Sequence, residues 1–289
     1  MVWPLLFYHW GAQGMSKGLW PAVSGSIAQS ERLDIAANNL ANSDTTGFKR
    51  DQVVFQEVMS SAVSAAQKEE IPHKLYTEKD FHRLDGKDKS FVIVDGSYTD
   101  YSQGRAKVTG APLDVALEGK GFLEVLAPQG SRFTRQGSLK LSTDGTLVTT
   151  DGYPVLAKGD AAATATRAEL AARAIHLDPQ KAGAVSITTD GKIYQGKDLV
   201  GEFSIQEFVD ARMLSKEGNS LFNNKVPANI VQDGTRTTVH QGMLETSNVN
   251  AVSEMTELLK ATRLFEANEK LVKNYGDLEA RAVNDIGKL

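Results

Sequence analysis

Cysteine is absent from all 289 residues, which excludes disulfide staples, thiolate metal sites and a cysteine nucleophile, and leaves the chain indifferent to an oxidising compartment. No run of about 18 apolar residues occurs, so no segment is expected to cross a bilayer as a helix. A surplus of one charge is also missing. The 32 basic and 36 acidic residues give a net charge of -4, without the basic excess used against nucleic-acid phosphate. Neither nucleic acid nor membrane insertion is expected. Histidine is scarce, and none of His9, His73, His82, His176 and His240 has a second ligand or acid at metal-site spacing. There is no Gly-x-Ser-x-Gly elbow, and Gly119-Lys120-Gly121 lacks the rest of a phosphate loop. Asp144, Asp151 and Asp190 each precede glycine, as turn residues do, and none belongs to a spaced calcium loop. The expectation is a scaffold without catalytic, cofactor-binding or metal residues.

What is present is organised in blocks. Residues 1–14 hold Trp3, Leu5, Leu6, Phe7, Tyr8 and Trp10 with no basic residue ahead of them, unlike a secretory signal. They are expected to be a spurious or disordered extension, with Met15 as the first residue. Residues 15–50 are expected to form a helix and a turn, with Pro21 early enough for a first turn. Leu19, Val23, Ser26, Ser30, Leu33, Ala37 and Leu40 recur at spacings of 4, 3, 4, 3, 4 and 3, as in a coiled-coil contact line. An amphipathic helix lying on its own domain would show the same period.

Residues 241–289 mirror this end. After the capping residues Ser247 and Asn248, a proline-free stretch from Val252 repeats Leu264, Leu271 and Leu278 every seven residues. Ala261, Asn268, Tyr275 and Ala282 fall between them, and Phe265 and Val272 widen the stripe. A helix of roughly 46 Å would result at about 1.5 Å per residue. That length exceeds one side of a small domain, so part of the stripe needs a partner helix.

Residues 91–240 have a different texture, with short alternating runs such as Phe122–Val125, Ser138–Leu141 and Thr146–Thr150 separated by Asp-Gly pairs. A β domain is expected there. Ala161–Ala174 departs from it as a short helix or a mobile insertion. Residues 51–90 read as an extended connector, although the spacing of Val54, Val58, Ser61 and Ala65 would also suit a helix continuing to Gln67. The predicted class is α+β: terminal helices paired as a coiled-coil-like stalk, with a central all-β domain.

Four motifs then carry a resemblance. Asp34-Ile-Ala-Ala-Asn38-Asn39-Leu40-Ala-Asn42 followed by Thr45-Thr-Gly47-Phe48-Lys49-Arg50 resembles the N-terminal signature of flagellar rod and hook proteins. Gly110-Ala-Pro-Leu-Asp-Val-Ala-Leu-Glu-Gly119 with Gly121-Phe122 is similar to the start of the β domain in that family. Phe133–Ser138 and Leu147–Leu156 continue it, and Gly242–Val252 resembles the approach to its C-terminal helix. Ser97–Gly104 is similar to the proximal rather than the distal rod members. By their chemistry Asn38, Asn39 and Asn42 could end the first helix, either by adopting a left-handed conformation or by bonding free carbonyls. Gly47 would permit a turn closed to other residues.

The resemblance implies a structural subunit of the basal-body rod in the periplasm, which polymerises through its terminal helices and transmits torque from motor to hook. It implies contacts with other rod proteins and with copies of itself, and passage through the flagellar type III export apparatus without a cleaved signal. The expected assembly residues are Leu19, Val23, Leu33, Ala37, Asn38, Asn39, Leu40, Asn42, Gly47, Phe48, Leu264, Leu271, Tyr275 and Leu278. A distal-rod or hook-type protein, or a secreted coiled-coil/β binding module, would share much of this pattern.

Overall fold

The computed structural model describes residues 19–59, 90–159, 166–178, 184–231 and 236–286. The expectations for Met15 and for residues 60–89 lie outside them. The chain divides into two units. One takes in Met1–Ala37, Val53–Ser97 and Val252–Leu289, and the other Asn38–Gln52 and Tyr98–Ala251. The class is α+β, with terminal helices flanking a β-rich middle of antiparallel sheets.

In the first unit, α1 (Leu19–Ala41) and α3 (Ala251–Ile286) are the long helices. Arg32 pairs with Glu257, and a Cβ placed on Gly25 would stand 3.1 Å from Nδ2 of Asn268. One number falls as the other rises, so the helices meet antiparallel. The buried positions of α1 include Ala22, Ala28 and Ala36, none of them on the line through Leu19, Val23 and Ser26. Alanine and glycine let backbones approach closely, and a pattern search weighted to large side chains passes over them. Along α3 the inward residues include Ala261, Phe265 and Asn268, while Leu264, Leu271, Tyr275 and Leu278 are exposed.

Residues 51–59 are neither connector nor helix. They form strand β1 (Asp51–Met59), paired with β2 (Ser90–Thr99) in a two-stranded sheet. Val53, Val54 and Phe55 favour the pleated backbone through their β-branched and aromatic side chains.

The second unit is built on five strands, β5 (Phe122–Ala127), β6 (Gly130–Thr134), β12 (Ile205–Gln206), β13 (Leu214–Glu217) and β14 (Leu221–Asn224), in the order β12-β5-β6-β14-β13. Beside it lie β9 (Val185–Ile187), β10 (Lys192–Gln195) and β11 (Asp198–Glu202) as a three-stranded sheet. The pair β7 (Leu139–Leu141) and β8 (Leu147–Thr149) forms a hairpin. Its turn contains Asp144-Gly145 with Gly145 at φ +76°, the positive φ expected of that dipeptide. Two further ribbons join distant parts of the chain. β3 (Ala106–Val108) pairs with β16 (Met243–Glu245), and β4 (Val115–Glu118) pairs with β15 (Thr238–Gln241).

The larger core gathers Val115, Leu117, Leu123, Val125, Ile193 and Phe203 with their neighbours. A second core is aromatic: Phe122, Phe133, Phe208 and Phe222, with Tyr101 against them. Ring centroids are 4.9 Å apart for Phe133 and Phe208 and 5.5 Å for Phe122 and Phe222, both edge to face. Burial there pushes the Tyr101 hydroxyl up to about 12. Phe222→Ala is expected to lower the stability of this unit by about 3–5 kcal/mol through the cavity it leaves, read by denaturant unfolding of the purified chain.

Part of the Ala161–Ala174 stretch is a short helix, α2 (Arg167–Ala172), opened by a reciprocal capping box between Thr166 and Glu169. Leu170 packs with Leu126 and Leu156. Arg173, just beyond the helix, reaches the buried Glu124 carboxylate at 2.8 Å. Residues 161–165 lie outside the described residues.

Candidate functional site: a charged knot joining three passes of the chain

Within the second unit, the stretch after α1, the stretch after β2 and the stretch before α3 come together. The chain leaves α1 through a polar turn. Asn42 donates its side-chain amide to the Asn38 carbonyl at 2.8 Å, and Thr45 Oγ1 donates to Asn42 Oδ1 at 3.2 Å. None of the three asparagines has positive φ, and of the two routes open to them the carbonyl bond is the one Asn42 takes. Asn39 is buried and grips the backbone of Asp51 twice, accepting from its N–H at 3.0 Å and donating to its carbonyl at 2.8 Å.

Gly47 follows at φ +68°. Its N–H donates to the Glu245 carbonyl at 2.9 Å. A Cβ here would lie 2.4 Å from the carbonyl carbon of Arg135. The position is therefore restricted to glycine by backbone conformation and by space at once. Phe48 is buried beneath the Lys216 ammonium, 3.8 Å above its ring centre. Lys216 also donates to the Lys49 carbonyl at 2.8 Å and to Asp51 Oδ2 at 2.7 Å.

At the centre sit three ionisable side chains with almost no exposure: Lys49 at 1%, Glu245 at 2% and Arg135 at 3%. Lys49 Nζ donates to Glu245 Oε1 at 2.6 Å and to the Ser102 carbonyl at 2.7 Å. The Gly104 N–H donates to the same carboxylate oxygen at 2.8 Å. Arg135 donates through Nη1 to Glu245 Oε2 at 3.2 Å and through Nη2 to the Gly119 carbonyl at 2.6 Å. Burial pushes the Lys49 ammonium below its ordinary value, and the Glu245 charge pulls in the opposite direction. Arg135 is displaced downward for the same reason, with Glu245 again opposing. One carboxylate thus serves two cations in a dry site, and its bonds run to residues 49, 104 and 135.

Asn248 completes the arrangement. Its Oδ1 accepts from the Arg50 N–H at 2.8 Å, and its Nδ2 donates to the carbonyls of Asp100 at 2.8 Å and Ser102 at 3.2 Å. The helix-capping role expected of Asn248 is not its use: α3 starts at Ala251, and the amide ties passing strands instead. Ser247 Oγ accepts from the Val249 N–H at 3.2 Å.

The expected assembly residues thus separate into two groups. Asn38, Asn39, Asn42, Gly47 and Phe48 belong to the knot or to the turn that leads into it. Leu264, Leu271, Tyr275 and Leu278 are exposed on α3, Ala37 is exposed on α1, and Leu19, Val23, Leu33 and Leu40 are half-buried there. Sequence reasoning did not single out Lys49, Arg135 or Glu245, and gave Asn248 a different role, although each lies inside a quoted motif. A charged residue in an irregular stretch looks like a solvated one until its distant partners are known. No group of three or more potential metal-ligating side chains occurs among the described residues, and no described helix is long and apolar enough to cross a membrane.

The stretches that form the knot are also those that match known proteins. Residues 21–49 match the family described as Flagella basal body rod protein. Residues 116–195 match the Flagellar hook protein FlgE/F/G D1 domain. Residues 240–285 match the Flagellar basal body rod FlgEFG protein C-terminal family. The flagellar basal-body rod protein FlgF of Caulobacter vibrioides is 32% identical over 276 residues, covering 95% of this chain and 100% of that protein. The FlgF protein of Mesorhizobium japonicum is 30% identical over 94% of this chain and 99% of that protein. FlgG of Bacillus subtilis is 29% identical over 93% and 99%. These matches name flagellar axial proteins and do not favour a secreted binding module. On this similarity along nearly its whole length, the chain belongs to the flagellar basal-body rod protein family and is a structural subunit of the rod.

Proposed function

We propose that the chain polymerises through its terminal helices into the periplasmic part of the rod, beside other rod proteins and copies of itself, and so passes torque from motor to hook. The observation that carries this reading is the exposed leucine series Leu264, Leu271 and Leu278, whose neighbours Ala261 and Asn268 are turned inward on the same helix. A helix with two apolar sides and one partner in its own chain has a side left for another subunit. Repeated head-to-tail contacts of that kind build an open helical assembly. The chain carries no catalytic activity in this reading and reaches the rod through the flagellar type III apparatus, without a cleaved signal. The knot's part is to bind three distant stretches of the β unit to one another.

The test is isolation of basal bodies from cells carrying an epitope-tagged copy at the native locus. The tagged chain should co-purify with the rod and resist a salt wash. Recovery only in the soluble fraction of motile cells would overturn the proposal.

A further inference from the structure

Charge is unevenly distributed on the outward sides of the two long helices. On α1 the exposed residues Ile27, Glu31 and Asp34 follow one another at spacings of 4 and 3, with Ile27 64% exposed. The strip holds two anions and no cation. On α3 the exposed residues Arg263, Ala267 and Lys270 repeat the same spacing and hold two cations, with Glu266 on the flank away from Leu264 and Leu271. None of these four charged groups forms an ion pair with another described residue. Arg32 and Glu257, which do pair, lie on the inward sides.

We infer that the acidic strip of α1 in one copy docks on the basic strip of α3 in a second copy, beside Leu264 and Leu271. The inference rests on polymerisation through the terminal helices and names the two faces that meet. Equal spacing lets the two strips match when the helices run parallel. Set Glu31 opposite Ala267 in a parallel pairing, and Asp34 faces Lys270. Glu31 then lies within a turn of both cations and above a small side chain. Ser30 and Ala37, seven apart and exposed on α1, repeat the interval of Leu264 and Leu271 and are small enough to admit them. Complementary charges of this kind set register and reject wrong partners, and like charges placed together weaken the contact.

Two experiments on the full chain decide it. The first is charge reversal. Glu31→Lys with Asp34→Lys should cut incorporation into basal bodies at least about tenfold while leaving thermal unfolding of the purified chain unchanged. Adding Arg263→Glu and Lys270→Glu to the same chain should restore swimming. A fourfold variant no better than the double one would overturn the inference.

The second uses the cysteine-free background. Glu31→Cys combined with Ala267→Cys should give a ladder of disulfide-linked multimers in oxidised basal bodies. Within one chain, the opposition of Gly25 and Asn268 leaves these positions about five residues apart along the axis, roughly 8 Å. They also lie on outward sides of two helices, beyond disulfide reach. Absence of the ladder would refute the contact. If the double reversal assembles normally while Leu271→Asp does not, polymerisation through the helices stands and this pairing of faces falls. If both assemble, neither stands.

Discussion

Glu245→Ala is expected to lower the stability of the β unit by about 3–5 kcal/mol, the loss that follows when one partner is removed from a buried ionic cluster. The variant leaves the Lys49 ammonium and the Arg135 guanidinium buried in the same site, with no carboxylate to offset their desolvation. It also strands the Gly104 N–H, which now donates to Glu245. The β16 strand carrying residue 245 would keep its backbone bonds to β3, so the effect is electrostatic rather than a loss of pairing. In a unit of this size the midpoint of thermal unfolding should fall by roughly 10 °C or more. A loss below about 1 kcal/mol, the size of a surface ion pair, would show that water reaches the cluster. Replacing Lys49 by Met in the same chain should recover part of the loss, because one buried cation goes with its partner. The coupling is read from the double-mutant cycle.

Leu271→Asp is expected to abolish assembly and leave folding alone. Leu271 is 48% exposed, so an aspartate there is hydrated in the free chain. Once a second helix covers it, the carboxylate must lose water without a partner, at a cost of several kcal/mol. The purified variant should therefore unfold at the parent temperature, whereas cells carrying it should not swim and their basal bodies should lack the chain. Lys273→Asp, at an exposed position on another side of α3, should be close to neutral. Immunoblots of cytosolic, secreted and basal-body fractions separate an export failure from an assembly failure. Normal swimming by Leu271→Asp would remove that face from the contact. Early melting of the variant would instead show that the leucine supports the free chain.

How much of this could be read from the sequence depends on how local its cause is. Helices α1 and α3 follow from period and the absence of breakers. Hairpins such as β7–β8 follow from an Asp-Gly pair between alternating runs. These causes act within about ten residues. The inward face of α1 was harder to read, because Ala22, Gly25 and Ala36 contribute closeness rather than bulk. Strand β1 was harder still: its pairing with β2 crosses the whole of residues 60–89, and no local pattern announces such a partner. The knot was out of reach for the same reason. Arg135 and Glu245 are 110 residues apart in the chain, and a charged side chain shows burial only when its distant partner is in place. Motif resemblance marked Lys49, Arg135 and Glu245 without indicating that they meet.

The separation inside the knot also has a consequence in time. Lys49 and Glu245 are 196 positions apart, and the closing ribbons β3–β16 and β4–β15 likewise await the last third of the chain. A polypeptide delivered from its amino end, at a ribosome or through a narrow channel, holds Lys49 without its counter-ion until position 245 has emerged. Until then the stretch after α1 has no dry site to enter, and loop closure over such a length opposes early docking. Closure of the β unit is thereby postponed almost to the end of delivery, and the leading segment stays free to thread for as long as there is more chain to follow.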